Sequence, residues 1–329
     1  MRHFRRFVVL LAAVILLTQG IPVVSGGEKA PASAQAPLSV TISYMPIIPY
    51  LAAVLAEEKG FFADAGLKVE MKVLFRTDLI RTGLESGEIH IGSSSTDSLI
   101  RAHVGGFDHK LLYPAVFYDP KSPDAFLVVR SDSPAKTAKD LEGKTIAATF
   151  GSIAEAGVKA WLRTNGADIS KIKFVEVRYQ DMLGALETKS IDAAHIVDPF
   201  FTVAMERGIV RVFGHDLDVV GGRFLVACYV AKESWLQRNA ETAKRFIRVM
   251  DTATKFILDR PSEALPILVK MTRVEPALAS KFFPKRFVTD TTVKPAELQS
   301  AIDFSAKEKF INGTFDYKQI VSIYAPVSR

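Results

Sequence analysis

Apolar and polar positions along this chain switch between two periods, and the switches mark out its elements. From Ser39 to Ser43 every second residue is apolar, the period of a half-buried strand. Pro49 to Lys59 has helical spacing and stops at Gly60. Leu67–Phe75 predicts a strand, Thr77–Glu85 a helix and Ile89–Ile91 a short buried strand. Thr96–His103 predicts a helix and Lys110–Phe117 a strand. The turn-rich run Tyr118 to Asp124 then breaks the rhythm. A second series follows. Ala125–Arg130 and Lys144–Phe150 are strands, Ile153–Thr164 a helix ended by Asn165-Gly166, and Phe174–Arg178 a strand. Asp181–Glu187 is a helix, Ile191–Val197 a strand and Pro199–Arg207 a helix. Val219 to Arg223 is the second break. After it come a strand, Phe224–Ala231, a long helix from about Glu233 to Leu258, and a helical C-terminal third punctuated by Pro261, Pro266, Pro276 and Pro284. Strands alternating with helices predict α/β architecture with mostly parallel sheets.

The two series rhyme. Arg76, Leu84 and Ile89 return as Arg178, Leu186 and Ile191, and 178 − 76, 186 − 84 and 191 − 89 all equal 102. A constant offset marks a repeated unit. The chain leaves the first unit near 118–124 and returns near 219–224. The expected domains are therefore 37–123 plus 224–329 as one lobe and 124–223 as the other, joined by a two-strand hinge. Such a hinge permits closure on a ligand.

Residues 1–36 are expected to be a signal peptide and linker. Arg2, Arg5 and Arg6 precede the apolar run Phe7 to Leu17, and Ala34-Gln35-Ala36 offers a cleavage site. The apolar run is shorter than a membrane span. Removing this segment takes away four basic residues and one acidic one, leaving (42 − 4) − (36 − 1) = +3. That charge is no nucleic-acid footprint. Cys228 is the only cysteine, so the chain has no internal disulfide, and no cysteine near the cleavage site can carry a lipid. The chain is expected in the periplasm, cleaved and not lipidated. No Gly-x-Ser-x-Gly, Walker, Gly-x-Gly-x-x-Gly or His-Glu-x-x-His motif is present. No catalytic residue, cofactor or metal is expected.

Loops that follow parallel strands face the ligand in α/β folds. Those loops carry Tyr44, Met45 and Tyr50; Ser93, Ser94, Ser95 and Thr96; Phe150, Gly151 and Ser152; and Asp198. Ser94, Ser95, Thr96 and Ser152 stand at predicted helix starts. Hydroxyls, free N–H groups and the helix dipole attract an anion there. The same residues also serve as plain N-caps. Tyr44, Tyr50, Tyr118 and Phe150 can wall a cleft or fill the core. Arg178, like its equivalent Arg76, offers a bidentate partner for an acid, or a plain exposed charge. Asp198 can take an amine or cap the helix after it.

The run Ser43-Tyr44-Met45-Pro46, with Glu57-Glu58-Lys59-Gly60-Phe61-Phe62 and Gly66-Leu67-Lys68-Val69-Glu70, resembles the nitrate/sulfonate/taurine group of ABC-transporter substrate-binding proteins. Leu84-x-x-Gly87-x-Ile89-x-Ile91-Gly92 and Asp140-Leu141-x-Gly143-Lys144-x-Ile146 match the same group, as does Leu186 to Ala193. The resemblance covers roughly Ser39 to Trp235. It implies a two-lobed periplasmic-binding-protein fold of type II that hands a small-molecule ligand to an inner-membrane permease and its ATPase. It also implies that the loops of Tyr44, Ser93–Thr96, Phe150–Ser152 and Asp198 line the site. A monomer that closes over a small organic anion of sulfonate, nitrate or carboxylate type is the leading expectation. A planar heterocycle such as a thiamine-pyrimidine precursor, a sensor role beside a membrane signalling protein and an exported enzyme are the alternatives. The related pyrimidine-making branch carries a cysteine-rich motif, and this chain has only Cys228.

Overall fold

Ten strands and twelve α-helices are present in the computed structural model, which describes residues 37–284 and 290–328. The expected signal segment, 1–36, lies outside the described residues. The strands are β1 (Leu38–Tyr44), β2 (Leu67–Val73), β3 (Gly92–Ser95), β4 (His109–Tyr118), β5 (Ala125–Arg130), β6 (Thr145–Ala148), β7 (Lys173–Glu176), β8 (Ala193–Val197), β9 (Val210–Gly214) and β10 (Phe224–Lys232). The helices are α1 (Leu51–Glu58), α2 (Phe61–Asp64), α3 (Thr77–Ser86), α4 (Thr96–Val104), α5 (Ile153–Thr164) and α6 (Tyr179–Glu187). They continue as α7 (Phe200–Glu206), α8 (Glu233–Arg238), α9 (Ala240–Asp259), α10 (Pro261–Thr272), α11 (Pro276–Phe282) and α12 (Pro295–Lys307).

One sheet is drawn wholly from the middle of the chain, in the order β7-β6-β8-β5-β9. β6 runs parallel to β7 and β8, and β5 runs antiparallel to β8 and β9. The remaining strands form β1-β2 and β3-β10-β4. A parallel bridge from Ile42 to Ile91, with the Ser43 amide donating to Ile91 O at 2.9 Å, sets β1 beside the segment that leads into β3. The strands therefore succeed one another as β2-β1-β3-β10-β4, the same plan as β7-β6-β8-β5-β9. The helix starts repeat at 179 − 77 = 102.

The sheets are mixed and not mostly parallel. The antiparallel members, β5 and β10, are the strands the chain enters straight after its two breaks. A crossing segment arrives from the other unit and not over a helix, so it has no right-handed crossover to make it parallel.

Three further elements differ from expectation. Gly92–Ser95, read as a loop, is strand β3, clamped antiparallel to β10 by pairs such as Ser93 with Tyr229. β9 was not foreseen. The single long helix from Glu233 is broken at Asn239, whose backbone leaves the helical region and whose side-chain amide donates to Trp235 O at 2.9 Å. Asparagine offers the backbone that competing bond.

Burial explains why these segments hold. In β5, Phe126 and Val128 belong to one apolar cluster while Leu127 and Val129 belong to another, so the sheet is covered on both faces. A larger cluster centres on β1, β4, β10 and α9. There Phe246 stacks on Phe62 and meets Tyr113 and Tyr229 edge-on. Cys228 is fully buried in β10, and burial pushes its thiol well above the usual range.

Candidate functional site

A cavity of about 80 Å³ opens where the loops after the parallel strands converge. One wall is Met45, Ile47, Ile48, Pro49 and Tyr50 after β1, with Thr77 at the start of α3 and Ser95 at the end of β3. The facing wall is Thr149 and Ser152 to Ala154 between β6 and α5, Tyr179 at the start of α6, and His195, Val197 and Asp198 on and after β8. The crossing strands supply the floor with Ala115, Val116, Asp124, Ala125, Val226 and Ala227, while Leu217 closes one side. By this measure one water needs roughly 10–15 Å³. The cavity thus holds about five to eight water-sized groups.

Four hydroxyls of this lining, those of Ser95, Ser152, Tyr50 and Thr77, donate within the protein. Ser95 Oγ accepts from the Ser98 amide at 3.1 Å, capping α4, and donates to Ser98 Oγ at 2.9 Å. Ser98 Oγ passes the chain across to Gly151 O at 2.5 Å. Ser152 Oγ donates to Thr149 O at 2.6 Å, and Tyr50 OH to Ser94 O at 3.1 Å. Thr77 Oγ1 reaches Phe150 O at 3.4 Å, a second link between the two walls. Burial pushes the Tyr50 phenol well above its ordinary value and the Tyr179 phenol up to about 12. Both stay neutral and keep their protons.

The acidic and basic groups are distributed unevenly. Asp124 and Asp198 both line the cavity, and among the described residues no lysine or arginine does. Asp198, 4% exposed, accepts from the Thr202 amide at 3.0 Å and the Thr202 hydroxyl at 2.7 Å, which caps the start of α7. His195, 1% exposed, holds Asp216 Oδ2 through Nδ1 at 2.6 Å. Asp216 is itself fully buried.

Residues 49–264, well over half of the chain, match the profile of the NMT1/THI5-like family. The chain belongs to the NMT1/THI5-like family. A protein of Escherichia coli (strain K12) named as an aliphatic sulfonates-binding protein is 26% identical over 221 residues, 66% of this chain and 66% of that relative. The match therefore spans just under two thirds of the relative's length. Among solved structures, the periplasmic aliphatic sulphonate binding protein SsuA from Escherichia coli superposes with a TM-score of 0.68 at 20% identity, over 87% of this chain and 97% of that one. The periplasmic nitrate-binding protein NrtA from Synechocystis PCC 6803 gives 0.70 at 14% identity, over 86% and 85%. These neighbours share the two-lobed periplasmic-binding-protein fold, and by name they are binding proteins and not enzymes. Among the described residues no helix is long and apolar enough to cross a membrane.

In this NMT1/THI5-like chain, five of the residues singled out from the sequence meet at the cavity: Met45, Tyr50, Ser95, Ser152 and Asp198. Others lie elsewhere. Tyr44 and Arg178 face a wider groove of about 690 Å³. Arg178 is engaged there with Asp181 at 2.6 Å and lies over the Phe75 ring. Ser94, Phe150 and Gly151 face a side recess of about 260 Å³. Ser93 and Thr96 are fully buried, their hydroxyls without a partner. Tyr118 is fully buried and donates to Asp218 at 2.6 Å. Thr77, Asp124, Tyr179 and His195 line the cavity without having been singled out, and Thr149, the first residue of the expected Phe150–Ser152 loop, lines it too. Thr77 and Tyr179 carry a legible signal. They are one residue beyond the repeated arginines and are themselves related by 179 − 77 = 102.

Proposed function

We propose that this chain is the solute-binding component of an ABC importer, exported through residues 1–36 to the periplasm. It works as a monomer that closes over one small molecule and presents the closed form to a permease and its ATPase. The lobes are 37–123 with 224–329, and 124–223, and closure bends the two crossing segments. Ligand contacts made only when the walls meet would drive that closure. The observation that carries this reading is a small cavity walled by both units of the repeat, on a fold shared with sulfonate- and nitrate-binding proteins. In this reading it is a binder and not an enzyme, in line with the names of its structural neighbours.

The ligand is a small organic molecule whose acidic group, of sulfonate, nitrate or carboxylate type, meets the backbone at Ser152, Ile153 and Ala154. These residues line the cavity at the start of α5, a helix of 12 residues. Its positive end favours a negative group there. The test is small-angle scattering with and without small organic acids. A ligand that melts the protein later and also shrinks its radius of gyration supports the importer reading. Tighter melting without compaction refutes the closure.

A further inference from the structure

We infer that Asn312 is a site of spontaneous covalent modification. Its side chain is attacked by the nitrogen of Gly313 and ends as aspartate or isoaspartate, while the fold protects the chain's other Asn-Gly pair, Asn165-Gly166. The reaction goes beyond solute binding and does not depend on it.

The chemistry needs only water. The Gly313 nitrogen gives up its proton and forms a bond to Asn312 Cγ. The Cγ–Nδ2 bond breaks, and ammonia leaves with that proton. The product is a cyclic imide. Water then adds to one of its two carbonyls and opens the ring. Opening on one side gives aspartate. Opening on the other gives isoaspartate, with the side-chain methylene now in the main chain. In sum, an amide and water become a carboxylate and ammonium, and nothing is oxidised or reduced.

The chain has three asparagines, and glycine follows two of them, Asn165 and Asn312. Glycine has no Cβ to crowd the attacking nitrogen and leaves the backbone free to turn towards the side chain. The two pairs are equally exposed to solvent. Their hydrogen bonding separates them.

Asn312 and Gly313 stand in the loop after α12. Among the described residues, neither the Asn312 amide nor the Gly313 N–H makes a hydrogen bond. Gly313 has φ of 86°, and an atom added at its Cβ position would meet nothing within 4 Å. The loop is held at its edges instead. The Ile311 amide donates to Ser305 O at 3.3 Å, and Thr314 Oγ1 to Asp303 at 2.6 Å. Both reacting groups therefore lie in solvent with room to meet.

Asn165-Gly166 closes α5. Asn165 Nδ2 donates to Trp161 O at 2.8 Å, and the Gly166 N–H to Arg163 O at 3.0 Å. The Ala167 amide then donates to Leu162 O at 3.0 Å, completing the helix end. Leaving group and attacking nitrogen are thus both tied to carbonyls of the last turn. Each bond that must open first slows the reaction about two- to tenfold, and the pair about four- to a hundredfold.

Conversion of Asn312 places a new negative charge just past Glu308, which pairs with Arg163 of the other unit of the repeat. Isoaspartate also lengthens the main chain of the loop that begins there.

The test is peptide mapping by mass spectrometry after ageing the purified protein in mildly alkaline heavy-oxygen water, once folded and once in urea. In the folded protein, heavy oxygen is expected to enter at residue 312 about four- to a hundredfold faster than at residue 165. In urea the two rates should converge, because both pairs are then free. Asn312→Gln should abolish the label in its own peptide and leave Asn165 slow, with a thermal melt to check folding. Isoaspartate at 312, read by fragmentation, marks the imide route. Equal rates in the folded protein, a gap that persists in urea, or aspartate at 312 without isoaspartate each overturns the inference. So does an Asn312 that stays unlabelled in the folded protein until Asn165 in urea has fully reacted.

Discussion

Gly157 sits in the middle of α5, and replacing it with alanine tests how the site is braced. An added Cβ there would stand 2.7 Å from Leu217 Cδ2 and 3.1 Å from Asp216 O, one of them backbone. In an unconstrained helix Gly→Ala gains roughly 0.5–1 kcal/mol. Overpacking a filled contact costs about 1–3 kcal/mol. The net expectation for Gly157→Ala is a loss of up to about 2.5 kcal/mol. Gly184 in α6 is the control, exposed and with nothing within 4 Å of an added Cβ. Gly184→Ala should therefore gain its roughly 0.5–1 kcal/mol in full. The gap between the variants is the overpacking cost alone. At about 2–4 °C per kcal/mol, it corresponds to about 2–12 °C in Tm. Urea midpoints and thermal melts of both variants against the parent measure it. Because the strain falls on Asp216, which holds His195 at 2.6 Å, Gly157→Ala should also weaken ligand binding. If Gly157→Ala melts above the parent, as Gly184→Ala should, the close packing of α5 on residues 216–220 is refuted.

Ser98→Ala removes the bond to Gly151 O that links the walls, worth roughly 0.5–1.5 kcal/mol net. Ligand affinity should fall roughly two- to tenfold by titration while the unliganded melt moves little, and an unchanged affinity refutes the link. His90 Nδ1 accepts the Thr41 amide at 2.9 Å, and burial holds its imidazole below its usual value. Its stabilising contribution is therefore complete above a pH of about 6.5 and lost as pH falls towards the folded value. His90→Asn should flatten the fall of the urea midpoint between about pH 7 and 5, and an unchanged slope counts against the assignment. Phe246→Ala should cost about 3–5 kcal/mol, read from urea denaturation, because the ring is fully buried among Phe62, Tyr113 and Tyr229. A cost under about 1 kcal/mol would show that this cluster is not the core of its unit.

The order of elements was legible because buried strands read as apolar runs and because the offset of 102 repeats their sequence of types. What local pattern could not show is tertiary in origin. Gly92-Ser93-Ser94-Ser95 has no strand propensity, yet it is a strand because β10 pairs with it. The antiparallel direction of β5 and β10 follows from the path of the chain between units, which no local window contains. At the site, Ser95 and Ser152 stand where their sequence places them, but their hydroxyls serve as cap and turn bonds. Asp124 lay inside a run read only as a turn, and His195 inside a run read as a strand, with only the weak spacing His195-x-x-Asp198 to mark it. Their relevance comes from the β5–β8 register and from Asp216 arriving 21 residues later in sequence. The serines were conspicuous by residue type, whereas the place of Asp124 and His195 in the cavity becomes visible only when strands distant in sequence are paired.

The topology also explains how the proposed closure can reach the ligand. The floor of the cavity is made from β4, β5 and β10, the strands that flank the two crossing segments. Each crossing is anchored on both sides. Tyr118 donates to Asp218 at 2.6 Å, tying the end of β4 to the segment before β10, and Arg223 lies over the Phe117 ring and pairs with Glu297. Between these anchors lie Asp119 to Pro123 on one crossing and Gly221-Gly222 on the other, the two glycines at φ of 92° and 65°. The proposed rotation of the units would then be confined to short stretches next to the floor. It would move Asp124 and Asp198 together, because the ladder of β5 and β8 holds them in register, while Met45 to Tyr50 and Ser95 would travel with the opposite sheet. In the proposed closure, a ligand that spans from the Tyr50 side to the facing wall would make its full set of contacts only when the walls have met. A ligand seated on either wall alone gains nothing from closure and cannot drive it.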